Sequence, residues 1–253
     1  MGENTTTKQG HHFSHAHHHT SHHHDHHHEH SAESHKSCVA LVPIFNHLEE
    51  EQMDEIMSVT HSISYKKGEN IYRAGDQSDS LYIVSKGRVR IYRLSESGKE
   101  QLLRILNPGD FTGELALFSE TIHEAYASAM EDTSICKVKR SDLQDLLLKY
   151  PSISLRVLAE FSSRLEQSEK QTTRFATEKV ETRIALFLAE LLDAGSNSNE
   201  IILPMSKKDL ASYLGTTPET ISRKLYELED AGYIKQKPNK RIQILNLDGL
   251  LLV

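Results

Sequence analysis

The sequence predicts an α+β chain in three folded parts behind a polar tail. These are a β-roll over residues 38–150, a long dimerisation helix over 151–178 and a winged helix-turn-helix over 179–253. Three observations carry this. Gly75, Gly87, Gly98 and Gly109 recur every 11 or 12 residues and separate short apolar runs. Apolar and small side chains follow Pro151 at 3-4 spacing, and two capped helical stretches joined by a tight turn precede a basic hairpin.

Among 253 residues, 37% are hydrophobic and 26% charged, enough for a core in each of two domains. The 17 histidines are the outlier, because fourteen of them lie between His11 and His35. Residues 1–37 hold little else to bury than Phe13 and are expected to be disordered. Their histidine runs never exceed three and are interrupted by Asp25 and Glu29, which favours a native tail over a purification tag. His22, His23, His24, His26, His27, His28, His30 and His35 are candidate ligands for Zn, Ni or Cu, metals that suit imidazole. A loose metal sponge, a mixed His/Cys zinc site with Cys38 and no metal role at all fit the tail alike.

From Val39 to Pro151 the texture is β. Val89 and Ile91 alternate with Arg88, Arg90 and Arg93, the period of a half-buried strand. Regular short strands with Gly turns imply a roll, sandwich or barrel rather than a parallel sheet. A short helix is expected over Glu49–Val59, and another opening at Ser141-Asp142 with one of these as its cap. After Pro151, Leu158, Phe161, Leu165, Ser168, Thr172 and Phe175 repeat as an a/d seam, apolar first and polar later. Pairing with a second copy is favoured over packing on the chain's own β-domain.

Beyond the Gly195-Ser-Asn-Ser-Asn linker, Ile201-Ile-Leu-Pro reads as a short strand. Ser206 caps a helix from Lys207 to Leu214, Gly215-Thr216-Thr217 turns the chain, and Pro218 opens a second helix ended by Gly232. Ile221, Leu225 and Leu228 form its buried face, while Glu219, Ser222 and Arg223 share another. Tyr233 to Leu247, turning at Pro238-Asn239, is the wing. The chemistry suits DNA: Arg223 can donate two bonds to guanine, Glu219 can accept from cytosine, and Ser222 can do either. Ser206, Thr217, Thr220, Lys224, Lys237, Lys240 and Arg241 complete the expected contact set. From Ala231 to Asn246 the chain is basic without one acid, although the net charge is −7.

The stretch Ser206-Lys-Lys-Asp-Leu-Ala-Ser-Tyr-Leu-Gly-Thr-Thr-Pro-Glu-Thr-Ile-Ser-Arg-Lys-Leu strongly resembles the Crp/Fnr transcription regulators. So does Pro108-Gly-Asp-Phe-Thr-Gly-Glu-Leu-Ala-Leu-Phe. The resemblance spans about residues 38–250. It implies a cyclic-nucleotide-binding-like β-roll, a homodimer, a domain binding double-stranded DNA, and contact with RNA polymerase. Glu219-x-x-Ser222-Arg223 looks like the Fnr branch, whose half-site is TTGAT.

In cyclic-nucleotide binders of this family a Gly-Glu pair holds the ribose, and Arg-Ser about ten residues later neutralises the phosphate. Here Gly113-Glu114 is followed by Glu124-Ala125, which sets an anion against the phosphate, so cAMP is not expected to bind. Two cysteines, Cys38 and Cys136, exclude an iron–sulfur cluster held by four Cys. So placed, they resemble the pair in Fnr-like proteins of lactic acid bacteria that is proposed to form a reversible disulfide. An inert, buried Cys136 sharing a strand face with Val138 is the competing reading.

No apolar run approaches the length of a membrane span, and no secretion-type opening is present, so a cytoplasmic protein without membrane partners is expected. No nucleophile–base set or phosphate-cradling Gly loop supports an enzyme. A metal-storage protein built around the tail is the alternative from another class, and it leaves the helix-turn-helix unexplained.

Overall fold

The computed structural model of the protein describes residues 39–193 and 198–253. The histidine-rich tail, Cys38 and residues 194–197 of the linker lie outside the described residues.

The β-roll is built from two four-stranded antiparallel sheets. One runs β1 (Thr60–Tyr65), β10 (Thr133–Lys139), β4 (Ser80–Lys86), β7 (Phe111–Thr112); the other runs β2 (Asn70–Tyr72), β9 (Tyr126–Ala129), β5 (Val89–Leu94), β6 (Glu100–Leu106). A small ribbon of β3 (Gln77–Ser78) and β8 (Thr121–Ile122) flanks them. The four expected turn glycines all have positive φ, between 76° and 94°. Strand β4 is buried on both faces, which explains its unbroken Leu81-Tyr-Ile-Val run. Tyr82, Val84 and Ile135 pack against Ile91 and Leu106 of the other sheet. Leu81 and Ile83 face the helices with Val39, Phe45, Cys136, Leu143 and Ile153.

Helix α1 (Glu50–Ser58) opens with a capping box between Glu49 and Gln52. Helix α2 (Arg140–Lys149) departs from expectation at its start. Lys139 is the N-cap, with no side-chain cap, and Ser141 lies inside the first turn bonded to Asp142 at 3.2 Å. Strand β10 runs directly into the helix, so no loop is left for a capping residue. Helix α3 (Pro151–Thr177) follows with Pro at its first turn. It buries Ile153 and Val157 against the roll. Leu158 and Leu165 are about 60% exposed each, and Leu165 lines one cavity with the exposed Leu115 and Ile122.

A helix not singled out in the sequence, α4 (Val180–Asp193), starts the C-terminal domain, burying Ile184 and Leu188. After β11 (Glu200–Ile202) come α5 (Lys207–Tyr213) and α6 (Pro218–Asp230). The wing strands β12 (Ile234–Lys237) and β13 (Arg241–Ile244) follow, and a short α7 (Leu247–Leu251) closes the chain. Strand β13 is the middle of the order β11-β13-β12, and the wing turns through Asn239 and Lys240, both at φ 60°.

The C-terminal domain is docked on its own β-roll. Leu102 of β6 is fully buried in one cluster with Leu210, Ala211 and Leu214. Ser212 Oγ accepts from the Leu102 N–H at 2.7 Å and donates to the Glu100 carbonyl at 2.8 Å. A side chain from α5 thereby satisfies backbone groups on the open edge of the sheet. Arg88 Nη1 donates to the Pro204 carbonyl at 2.9 Å beside it.

Candidate DNA-reading face and sensor pocket

The helix-turn-helix is assembled by local chemistry. Ser206 Oγ accepts from the Asp209 N–H at 3.1 Å, and Thr217 Oγ1 accepts from the Thr220 N–H at 3.3 Å, so both helices carry side-chain caps. Ile221, Leu225 and Leu228 are buried, and this orients the opposite side of α6 outward. Glu219, Ser222 and Arg223 lie exposed there, as their spacing requires. The backbone N–H of Glu219 and the Thr217 hydroxyl hold its carboxyl below the usual range, keeping it an acceptor. Among the described residues Arg223 is restrained only by a loose pair, Nε to Glu227 Oε1 at 3.7 Å.

Other expected contacts are placed differently. Lys224 does not join the reading face. Its ammonium bonds Glu181 at 2.9 Å and Glu227 at 2.5 Å, tying α6 to α4, because its helical position is one step round toward the domain body. Ser206 is half-buried and engaged in its cap, where Oγ also donates to Asp209 Oδ2 at 2.7 Å. Thr217 and Thr220 share a hydroxyl contact at 3.1 Å. On the wing, Lys237 pairs with Glu200 at 2.6 Å and Arg241 with the same carboxylate at 3.3 Å, whereas Lys240 stands exposed at the tip.

The dimer seam divides in two. Leu158 and Leu165 are exposed, and Phe161 stacks edge-on against Phe118, with ring centroids 5.5 Å apart. Ser168 and Phe175 line a cavity facing the chain's own C-terminal domain, and Phe175 lies under the Arg183 guanidinium at 5.2 Å. Thr172 is exposed, with its hydroxyl returned to the Ser168 carbonyl.

In the β-roll, Gly113 (φ 84°) lets the chain turn beneath β4, since a Cβ there would stand 2.3 Å from the Ser80 carbonyl oxygen. The turn delivers Glu114 into a cavity of about 360 Å³ lined by Tyr72, Thr112, His123, Glu124, Arg104 and Arg164, among others. Two guanidiniums already hold the Glu114 carboxylate, Arg104 at 3.0 Å and Arg164 at 2.7 Å. Burial alone raises the carboxyl's pKa, but the two cations outweigh it, and the group lies below its usual range. Arg164 also donates to Glu160 at 2.8 Å and to the Phe111 carbonyl at 3.1 Å. Glu124, at the position expected to meet a phosphate, pairs with Arg93. His123 stacks on Tyr72 at 3.7 Å, and its buried Nε2 has no partner. Desolvation pushes its pKa down. Arg104 and Arg164 were not foreseen, and the sequence carries no spacing signal that joins them to Glu114.

Cys136 is buried among the helix-facing residues of β10 and is disulfide-bonded. The other cysteine of the sequence, Cys38, lies outside the described residues, as do the eight histidines of the candidate metal set. Among the described residues no group of three or more His, Cys, Asp and Glu is placed to hold a metal ion.

A cyclic nucleotide-binding domain matches residues 62–150, and a Crp-like helix-turn-helix domain matches residues 182–252. The chain is 34% identical over 214 residues to "Probable transcriptional regulator flp" of Lacticaseibacillus casei, covering 85% of this chain and 96% of that one. This chain belongs to the Crp/Fnr family of transcription regulators. The Crp/Fnr chain is also 31% identical over 196 residues to the cyclic AMP receptor protein of Thermus thermophilus, covering 78% and 89% of the two. The solved structure of FixK2 from Bradyrhizobium japonicum matches 76% of it, and 96% of itself, at 31% identity and a TM-score of 0.66. Proteins of this family regulate transcription through a DNA-binding helix-turn-helix and are not enzymes. No helix among the described residues is long and apolar enough to cross a membrane.

Proposed function

We propose that this Crp/Fnr regulator acts in the cytoplasm as a homodimer reading TTGAT-like palindromes, contacts RNA polymerase from its promoter site, and answers to thiol redox state rather than to cAMP. The observation that carries the DNA reading is the open face of α6. Glu219, Ser222 and Arg223 point outward together, and Arg223 has no strong competing partner. The exposed Leu158 and Leu165 of α3, the latter lining one cavity with Leu115 and Ile122, supply apolar surface for a second copy.

Against cAMP stands the occupancy of Glu114. A ribose hydroxyl would have to share the Glu114 carboxylate with Arg104 and Arg164, which both hold its Oε1, and Glu124 would set a second carboxylate against the phosphate. For redox control, Cys136 shares its cluster with Val39, the residue that follows Cys38 in the chain. Oxidation of two thiols to a disulfide releases two protons and two electrons to an oxidant such as a peroxide, which is reduced to water. The histidines of the tail make up a ligand set for Zn, Ni or Cu, and metal bound there tunes the regulator.

The test is fluorescence anisotropy with a TTGAT-N4-ATCAA duplex and a scrambled duplex at one salt concentration, on protein treated with dithiothreitol or peroxide. A stoichiometry of two chains per palindrome, selectivity over the scramble and a redox-dependent affinity are expected. Equal binding to both duplexes overturns the sequence reading, and equal binding by both redox forms overturns the switch.

A further inference from the structure

A second and larger cavity, of about 600 Å³, lies where β6, the later turns of α3, α4 and the end of α5 meet. Its wall carries six cations, Arg93, Arg104, Arg164, Lys170, Arg174 and Arg183, against one carboxylate, Glu190. Five of these cations have acidic partners. Arg93 pairs with Glu124, Arg104 and Arg164 with Glu114, Lys170 with Glu166 at 2.7 Å, and Arg174 with Glu190 at 2.5 Å.

Arg183 does not. Among the described residues it has no ion pair, and its Nε is buried without a hydrogen-bond partner. Its guanidinium lies over the Phe175 ring. That stacking leaves the edge of the fork, with its donors, uncommitted. Half-buried and always charged, Arg183 is the one cation of this wall whose charge no carboxylate among the described residues offsets, and an anion in the cavity would complete it. Nearby, Gln171 reaches the Tyr213 carbonyl at 3.4 Å, a long bond that leaves its amide able to turn toward a guest.

We propose that this cavity binds a small organic oxyanion, a carboxylate or phosphate, held in bidentate fashion by Arg183. Planar oxyanions match the guanidinium fork, and a cavity of this size accommodates a small metabolite. Arg93, Arg104 and Arg164 line this cavity and the Glu114 pocket alike, but Arg93 is held by Glu124 and the other two by Glu114, whereas Arg183 lines only this cavity. Its position sets its consequence. Arg183 sits in the first turn of α4 and Phe175 near the end of α3, so an anion there braces the C-terminal domain against the long helix.

Isothermal titration calorimetry on the full chain tests this with two probes, pyrophosphate and citrate. Ionic strength is balanced with chloride at about pH 8, where the histidine tail is neutral. The expected result is saturable heat with one site per chain for at least one probe, and the probe that saturates identifies phosphate or carboxylate as the class. Arg183→Gln should weaken binding at least about tenfold. Arg223→Ala, on the DNA-reading face, should leave it unchanged. Should Arg183→Gln melt early, Arg183→Lys keeps the charge, loses the fork and should still bind several-fold more weakly. No saturation by either probe up to about 10 mM, retained affinity in both Arg183 variants, or an equal loss in Arg223→Ala overturns the proposal.

Discussion

Arg223→Ala separates the DNA-reading role of α6 from its structural role, and the structure sets both magnitudes. The Arg223 side chain is 67% exposed and makes one ion pair, at 3.7 Å to Glu227 four residues on. Such a surface pair contributes about 0.3–0.5 kcal/mol, so removing it should shift the melting temperature by no more than about 2 °C. The contact with DNA proposed for it would be worth far more. A bidentate arginine–guanine pair discriminates by about 1–3 kcal/mol, and a symmetric dimer makes two of them. The palindrome should therefore lose about 2–6 kcal/mol, a factor between about 30 and about 2 × 10⁴. A scrambled duplex should lose only the charge contribution of one cation per chain.

Fluorescence anisotropy at fixed salt measures the ratio of the two affinities. The Lys224→Ala variant is the internal contrast. Its ammonium is held between Glu181 and Glu227, so the ratio should stay near that of the parent while stability falls by about 1 kcal/mol. If Arg223→Ala keeps the parent's ratio, or if Lys224→Ala loses it, the assignment of the reading face is wrong.

Ser212→Ala strips both partners from the edge of β6 and should cost about 1–3 kcal/mol, read as a lower urea midpoint; an unchanged midpoint would show the dock to be incidental. Calorimetry at millimolar cAMP or cGMP should give no saturable heat, because Glu114 is already held by two arginines; a micromolar constant would refute that. The Glu114 carboxyl titrates below its ordinary 4.5, so its ion pairs contribute fully above that value and are lost as pH falls through the depressed one. Glu114→Gln should accordingly be destabilised by about 1–3 kcal/mol at neutral pH, with the gap to the parent closing as pH falls through the depressed Glu114 range in urea titrations. Deleting residues 1–36 should abolish most zinc, nickel or copper binding and leave the melting temperature within a few degrees, as elemental analysis and calorimetry would report; an unfolded product would place the tail inside a structural site.

What the sequence determined by itself was whatever depends on neighbours within one or two turns. Ser206 and Thr217 cap helices because each lies three residues before the N–H it accepts, and Gly215 makes the turn between them at φ 68°. The 3-4 spacing of Ile221, Leu225 and Leu228 turns Glu219, Ser222 and Arg223 to the opposite side, so the reading face was legible from residue numbers alone. The same was true of the β-roll turns and of the start of α3 at Pro151. Helix α4 was passed over because its apolar stretch Ile184–Leu188 is unbroken, and an unbroken run does not reveal its period. Tertiary structure alone decided which distant charges meet. Arg164 reaches Glu114 across 50 residues of sequence, Lys224 reaches Glu181 across 43, and Lys237 reaches Glu200 across 37. It also placed Leu102 of the β-roll in the core of the C-terminal domain. Long charged side chains take whichever partner the packed elements bring within reach, and no local periodicity encodes that choice. The sequence thus determined the exposed face of Glu219, Ser222 and Arg223, whereas the pairing of Glu114 with Arg104 and Arg164, and the want of such a pair for Arg183 among the described residues, exist only once the domains are packed.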